Sequence, residues 1–373
     1  MGIAEGRRSA PEDRWSWGKS VGLAIGELPT PALLLDIDVA KTNASLMGER
    51  FRSLSASLRP HVKAHKCAEL ARLQLDNGAI GVTTATVAEA QAMAAAGVDD
   101  VLIANEVVGA AAAERLASIA ASTRLTVAAD DESNLAELGR HASGAGSEIG
   151  VLIEVDVGMG RGGARSPEEA LSLARRAMET PGVELRGLMG YEGHCASEPD
   201  TELREREARV AMERLVEVAE RCRADGMPVD VVSAGATGTY EVTGSYPGVT
   251  EVQAGTYILM DVYHEALAPE FSFALTVAAT AISRHGDLVV FDAGRKGVGS
   301  DLLPPRLASG QGELAFINEE HAGFRFPEGS RLHVGDRATL VPGYAPTTVN
   351  LFGAFHVVES GRVVDLWPVL ARR

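Results

Sequence analysis

Residues 100–128 read DVLIANEVVGAAAAERLASIAASTRLTVA, and this stretch decides the fold. An apolar run at 100–104 gives way to an alanine-rich segment of helical period at 110–121, and a second apolar run follows at 124–128. Strand, helix and strand in so short a span form the repeating unit of a parallel sheet, because a crossover helix must carry the chain back to the end where the next strand starts. The unit recurs on both sides. Further strands are predicted at 32–37, 57–64, 81–85, 150–157, 185–190 and 229–233. Helices are predicted at 39–55, 68–77, 88–96, 132–141, 167–179 and 202–225. Eight strands and seven helices are the complement of a closed (β/α)8 TIM-type barrel. An open doubly wound sheet is the rival, but it wants a glycine-rich turn after its first strand, and LLLDIDVAK at 33–41 contains no glycine.

Punctuation agrees with the barrel. Ser166 ahead of Pro167, Glu168 and Glu169 reads as a helix cap, a first-turn proline and an acidic first turn. Gly97 and Gly226 stand where helices should stop. The dense charges of 201–225 read as a solvated helix face. Beyond residue 270 the rhythm shortens. Strands are predicted at 274–282, 288–291, 313–317, 331–333, 338–340, 354–358 and 362–367, separated by turns such as His285-Gly286-Asp287 and Glu359-Ser360-Gly361. That is an all-β domain. The expected organisation is a polar N-terminal segment 1–28, a barrel 29–268 and a C-terminal β domain 269–373.

Composition narrows the function. With 51 acidic against 35 basic residues the formal net charge is −16, which repels phosphate backbones and argues against nucleic-acid binding. Residues 271–283, the longest nearly uncharged apolar stretch, are too few to span a bilayer. The N-terminus carries Glu5, Arg7, Arg8, Glu12 and Asp13 without an apolar core, so neither a signal peptide nor membrane attachment is expected. Cys67, Cys195 and Cys222 are odd in number and far apart, which predicts a reducing, cytoplasmic setting.

Two regions could carry chemistry. In Arg59-Pro60-His61-Val62-Lys63-Ala64-His65-Lys66, a strand would place His61, Lys63 and His65 on one face. Inside a barrel three basic groups would be costly, and a lysine among cationic neighbours has a lowered pKa suited to Schiff-base chemistry. The plain alternative is a solvated strand end. Ser233-Ala234-Gly235-Ala236-Thr237-Gly238-Thr239 and Gln253-Ala254-Gly255-Thr256-Tyr257 follow late strands, where barrels hold phosphate with backbone N–H groups. Each alone reads equally well as a turn.

Taken in order, Thr30-Pro31-Ala32 into LLLDID, RPHVKAHKCAELARLQL (59–75), IANEVVG (103–109), EVDVGMGRGG (154–163) and VQAGTYILMD (252–261) resemble the D-threonine aldolase and D-serine dehydratase-like family, fold-type III pyridoxal-phosphate enzymes related to alanine racemase. The resemblance implies an alanine racemase-like barrel, a C-terminal β domain completed by N-terminal residues, pyridoxal 5'-phosphate as cofactor, and a homodimer with shared active sites. Lys63 matches the lysine that carries the cofactor, with His61 beside it. Arg161 matches an arginine near the cofactor's phenolic oxygen, and Tyr191 a neighbouring tyrosine. Gly235, Thr237, Gly238, Gly255 and Thr256 match the phosphate cup, and Gln253 the position beside the pyridine nitrogen. Alanine racemases place arginine there. A neutral glutamine leaves the ring a better electron sink, which favours lyase chemistry over racemisation.

One segment departs from the family. Its metal ligands, His-x-Cys or His-x-Asp, fall where this chain has Pro342-Gly343-Tyr344-Ala345-Pro346. Tyr344 replaces the histidine and Pro346 the second ligand, so the family's manganese or zinc is predicted absent. A protein group must then handle the substrate β-hydroxyl; Tyr344, His194 and His321 are the candidates, and Tyr344 filling vacated space is the alternative. Arg295 or Lys296, in Asp292-Ala293-Gly294-Arg295-Lys296, are candidates for the substrate carboxylate. The leading expectation is a lyase for β-hydroxy-D-amino acids, by retro-aldol cleavage or dehydration. A racemase or epimerase, and a cofactor-binding regulatory protein with reduced turnover, are the alternatives.

Overall fold

The computed structural model describes residues 20–329 and 332–372. Most of the predicted segment 1–28 therefore lies outside the described residues. Two sheets organise the chain. The first is parallel and eight-stranded, in the order β2-β9-β8-β7-β6-β5-β4-β3. Its strands are β2 (Ser57–Leu58), β3 (Val82–Thr84), β4 (Asp100–Glu106), β5 (Arg124–Ala129), β6 (Ile149–Glu154), β7 (Val183–Met189), β8 (Val231–Ala234) and β9 (Glu251–Val252). The two ends of that order meet. His61 bridges Thr83, and Thr83 N–H donates to the Pro60 carbonyl at 2.8 Å, so the sheet curls into a barrel. Seven long helices surround it: α1 (Ile37–Phe51), α2 (Ala68–Asp76), α3 (Val87–Ala95), α4 (Ala110–Ala120), α5 (Glu132–Ala145), α6 (Pro167–Glu179) and α7 (Thr201–Ala224). Ser166 caps α6 as its sequence predicts, accepting from Glu169 N–H at 3.2 Å.

The barrel begins one strand later than the sequence suggests. The expected first strand, β1 (Ala32–Asp36), belongs to the second sheet, where it runs antiparallel to β10 (Leu275–His285) and parallel to β16 (Ala354–Glu359). The barrel compensates at its far end with β9, two residues long, which pairs β2 and β8. An apolar run fits either sheet equally well, and nothing local names its partner. Buried Arg59 donates to Glu251 on β9 at 2.8 Å and to Asp100 on β4 at 2.7 Å, so its charge is paired from two strands.

The second sheet is completed by β11 (Leu288–Phe291), β12 (Arg306–Leu307), β13 (Glu313–Ile317), β14 (Ala322–Arg325), β15 (Arg337–Val341) and β17 (Arg362–Pro368). Of the predicted strand 331–333, Leu332 and His333 are not in a strand and Arg331 lies outside the described residues; β12 and β14 were not foreseen. The domain also contains a helix, α10 (Ala345–Asn350), opened by Ala345 and Pro346 in its first turn. Residues 22–25 run against the β16–β17 hairpin through Gly22 N–H to Val363 and Ile25 N–H to Gly361. Two further short helices, α8 (Tyr240–Gly244) and α9 (Val262–Glu265), follow β8 and β9. Among the described residues no helix is long and apolar enough to cross a membrane.

Candidate active site

A cavity opens where the barrel strands end and the second sheet approaches. Lys63 lies at its wall. The segment after β2 does not continue as a strand; residues Val62–Ala64 form a single 3₁₀ turn, started when His61 Nδ1 accepts the Lys63 N–H at 3.4 Å. That turn corrects the period-2 expectation. His61 and Lys63 face the cavity, but His65 turns into the core, where Nδ1 accepts from Cys67 N–H at 3.1 Å and Nε2 meets Gln74 Oε1 at 3.1 Å. Burial holds the His65 imidazole down to about 4. Lys66 also leaves the site, in a left-handed backbone (φ 52°), to form a buried ion pair with Glu89.

Lys63 keeps its amine in the cavity, without an acidic partner in contact among the described residues, 5.8 Å from the centre of the Tyr191 ring. Arg161 lies over the same ring at 5.4 Å. Walls that strip water from the amine, together with the positive charge of Arg161, push Lys63 down to about 8, against an opposing pull from Glu89. The Arg161 guanidinium reaches Glu154 at 3.5 Å. Burial first, then the neighbouring carboxyl of Glu106, raises Glu154 to about 8.

Small residues and hydroxyls build the floor. A side chain at Gly255 would sit 2.3 Å from the His61 carbonyl oxygen, so no larger residue fits. Thr237 Oγ1 accepts from the N–H groups of Thr256 (3.1 Å) and Tyr257 (3.3 Å), which leaves its own proton to donate. Gln253 lines the cavity and donates Nε2 to Ser233 Oγ at 2.9 Å. Beneath the glycine loop, fully buried Glu192 accepts from Gly235 N–H (3.0 Å), Thr239 Oγ1 (2.7 Å) and Thr243 Oγ1 (2.7 Å). One carboxylate thereby fixes the loop's path. Glu192 escaped sequence reasoning because its partners lie more than forty positions away.

The rest of the lining includes residues from α9 and the start of α10, and α10 packs against the Val62–Ala64 turn that carries Lys63. His264 and Tyr344 line the cavity, their rings stacked at 6.0 Å and 17°, with Tyr263 edge-on to both. Tyr344 is raised to about 12 by burial and by the charges of Asp261, Tyr263 and Asp301. The structure therefore brings together Lys63, His61, Arg161, Tyr191, Gly235, Thr237, Gln253, Gly255, Thr256 and Tyr344, and adds His264. Gly238 packs beneath, against the Ala196 carbonyl. His194 is exposed beside Gly158, outside the lining. His321, Arg295 and Lys296 lie on the second domain away from the lining, all exposed; Lys296 pairs with Glu320 at 2.8 Å.

The donor set suits a phosphorylated aromatic aldehyde. It offers an amine of lowered pKa, a guanidinium, a hydroxyl with a free proton, and glycines that admit close approach. It does not suit the family's metal at 342–346, where Tyr344, Ala345 and Pro346 supply no imidazole, thiolate or carboxylate.

Residues 35–262 match the family model for the alanine racemase N-terminal domain, and 274–358 match a serine dehydratase domain. The chain is 35% identical to the D-threonine aldolase of Arthrobacter sp over 94% of each chain, and 32% identical to a 3-hydroxy-D-aspartate aldolase of Paracoccus denitrificans, also over 94% of each. The crystal structure of D-threonine aldolase from Filomicrobium marinum superposes with a TM-score of 0.91 at 30% identity, covering 94% of this chain and 98% of that one.

Proposed function

The chain belongs to the alanine racemase N-terminal domain family, in the branch of its aldolases and dehydratases, and from that premise we propose that it is a pyridoxal-phosphate lyase that cleaves β-hydroxy-D-amino acids to an aldehyde and a smaller amino acid, without the family's metal. The observation that carries this reading is the single cavity joining the Lys63 amine to Arg161, Tyr191, Thr237, Gln253 and Thr256. When bound, the cofactor supplies an electron sink for the pair released at Cα.

The chain's own residues do the rest. The Lys63 amine, held below its ordinary value, binds the cofactor and then holds or moves a proton at Nζ. Thr237 and Thr256, with the backbone of Gly235 and Gly255, hold the phosphate. Arg161 neutralises the phenolic oxygen. Gln253 leaves the pyridine nitrogen free of a neighbouring cation, which supports the lyase over the racemase alternative. A homodimer with shared sites is part of the proposal; Arg295 and Lys296, the candidates for the substrate carboxylate, do not line this cavity. Three free, buried cysteines support a cytoplasmic setting.

The test is the cofactor-loaded protein in excess EDTA with D- and L-threonine, scoring acetaldehyde and 2-oxo acid. The reading expects acetaldehyde and glycine from the D isomer. Inversion without aldehyde would place the chain with the racemases.

A further inference from the structure

The part of the lining formed by α9 and the start of α10 carries an arrangement that cofactor binding does not explain. Asp261 has no exposed surface and uses both carboxylate oxygens. Oδ1 accepts from His264 Nδ1 at 2.7 Å and from His264 N–H at 2.8 Å, and Oδ2 accepts from Ala345 N–H at 2.7 Å. One carboxylate thus fixes the imidazole and, eighty-four positions on, the residue next to Tyr344. An imidazole that gives Nδ1–H to a carboxylate keeps its lone pair on Nε2, and the charge it gains on accepting a proton is stabilised by the same carboxylate. Met260, immediately before Asp261, is fully buried at φ 56°, a left-handed conformation that is strained for a side-chain-bearing residue. The fold maintains that conformation at the point that delivers the pair to the cavity.

We propose that Asp261, His264 and Tyr344 form this chain's acid–base device for the substrate β-hydroxyl, with His264 Nε2 taking its proton and the Tyr344 phenol donating a hydrogen bond to the same oxygen. The inference rests on the lyase reading above. His264 is the catalytic base and Asp261 its positioning residue. As the hydroxyl proton moves to Nε2, the O–H electron pair becomes the second bond of the aldehyde carbonyl. The Cα–Cβ bond breaks and its pair stays on Cα, delocalised into the cofactor. Cα then takes a proton, which turns D-threonine into glycine plus acetaldehyde, and His264 returns its proton to solvent. No oxidant, reductant or metal is consumed. Tyr344 is held protonated across the neutral range by its surroundings, as a donor requires.

The test compares two reactions of the loaded protein in excess EDTA: acetaldehyde release from D-threonine, and hydrogen–deuterium exchange at Cα of glycine, which has no hydroxyl. His264→Asn should lower kcat for aldehyde release by about 10²–10⁴-fold, and at least thirtyfold more than it lowers exchange. Tyr344→Phe should show the same bias at a smaller size. Nitrogen-15 histidine NMR should place the proton of His264 on Nδ1, and Asp261→Asn should shift that signal. Equal loss of both reactions in His264→Asn, aldehyde release within threefold of wild type, a dominant Nε2–H tautomer, or an absolute requirement for Mn²⁺ would each overturn the proposal. A wild type that exchanges glycine yet leaves D-threonine intact overturns the lyase reading itself, a different failure.

Discussion

The two walls of the cavity are built differently. The barrel wall offers cations, hydroxyls and glycines: Lys63, Arg161, Thr237 and Gly255, on the segments that follow β2, β6, β8 and β9. The wall from α9 and α10 offers rings, His264 and Tyr344, held by one buried carboxylate that joins the two helices. The first wall can hold a phosphorylated ring and attack its aldehyde. The second has no free cation among its lining residues and can only exchange or orient protons. On the proposed reading the cofactor lies against the first set of residues and the substrate hydroxyl against the second.

Breaking the barrel wall should give the larger effect. Glu192→Leu removes the acceptor shared by Gly235, Thr239 and Thr243 and leaves three buried donors without a partner, a loss of about 3 kcal/mol or more in unfolding free energy. Urea titration reads it directly, and cofactor affinity should weaken in parallel because the glycine loop loses its support. An unchanged midpoint would show that the loop is held by other contacts.

A subtler effect sharpens the contrast between the two nearby lysines. Lys63, held at about 8, should make cofactor reloading of the stripped protein rise with pH and level off above 8, whereas an amine at its ordinary value of about 10.4 would keep accelerating. The folded pKa lies below the unfolded one, so between these values the unfolded chain binds more protons and stability rises with pH. Stopped-flow reloading from pH 6 to 10 separates the two. Lys66, paired with Glu89, should not take up the cofactor.

The barrel wall was also the legible one. Its residues sit in short contiguous motifs, and the strand–helix rhythm puts those motifs at strand ends. The second wall was half legible. Tyr344 stood out because it replaces a ligand, but His264 did not, since its meaning depends on Asp261 reaching Ala345 across the chain. The same limit misplaced β1: an apolar strand carries its pattern but not its partner. His65 failed for a local reason, because alternation presumes a strand and the chain instead makes a 3₁₀ turn after Pro60.

The most direct measurement is to reduce the cofactor-loaded protein with borohydride, digest it, and locate the pyridoxyl group by mass spectrometry. The account predicts the label on Lys63, with Lys66 three residues on unmodified. A label on Lys66, or none after full reconstitution, would contradict it.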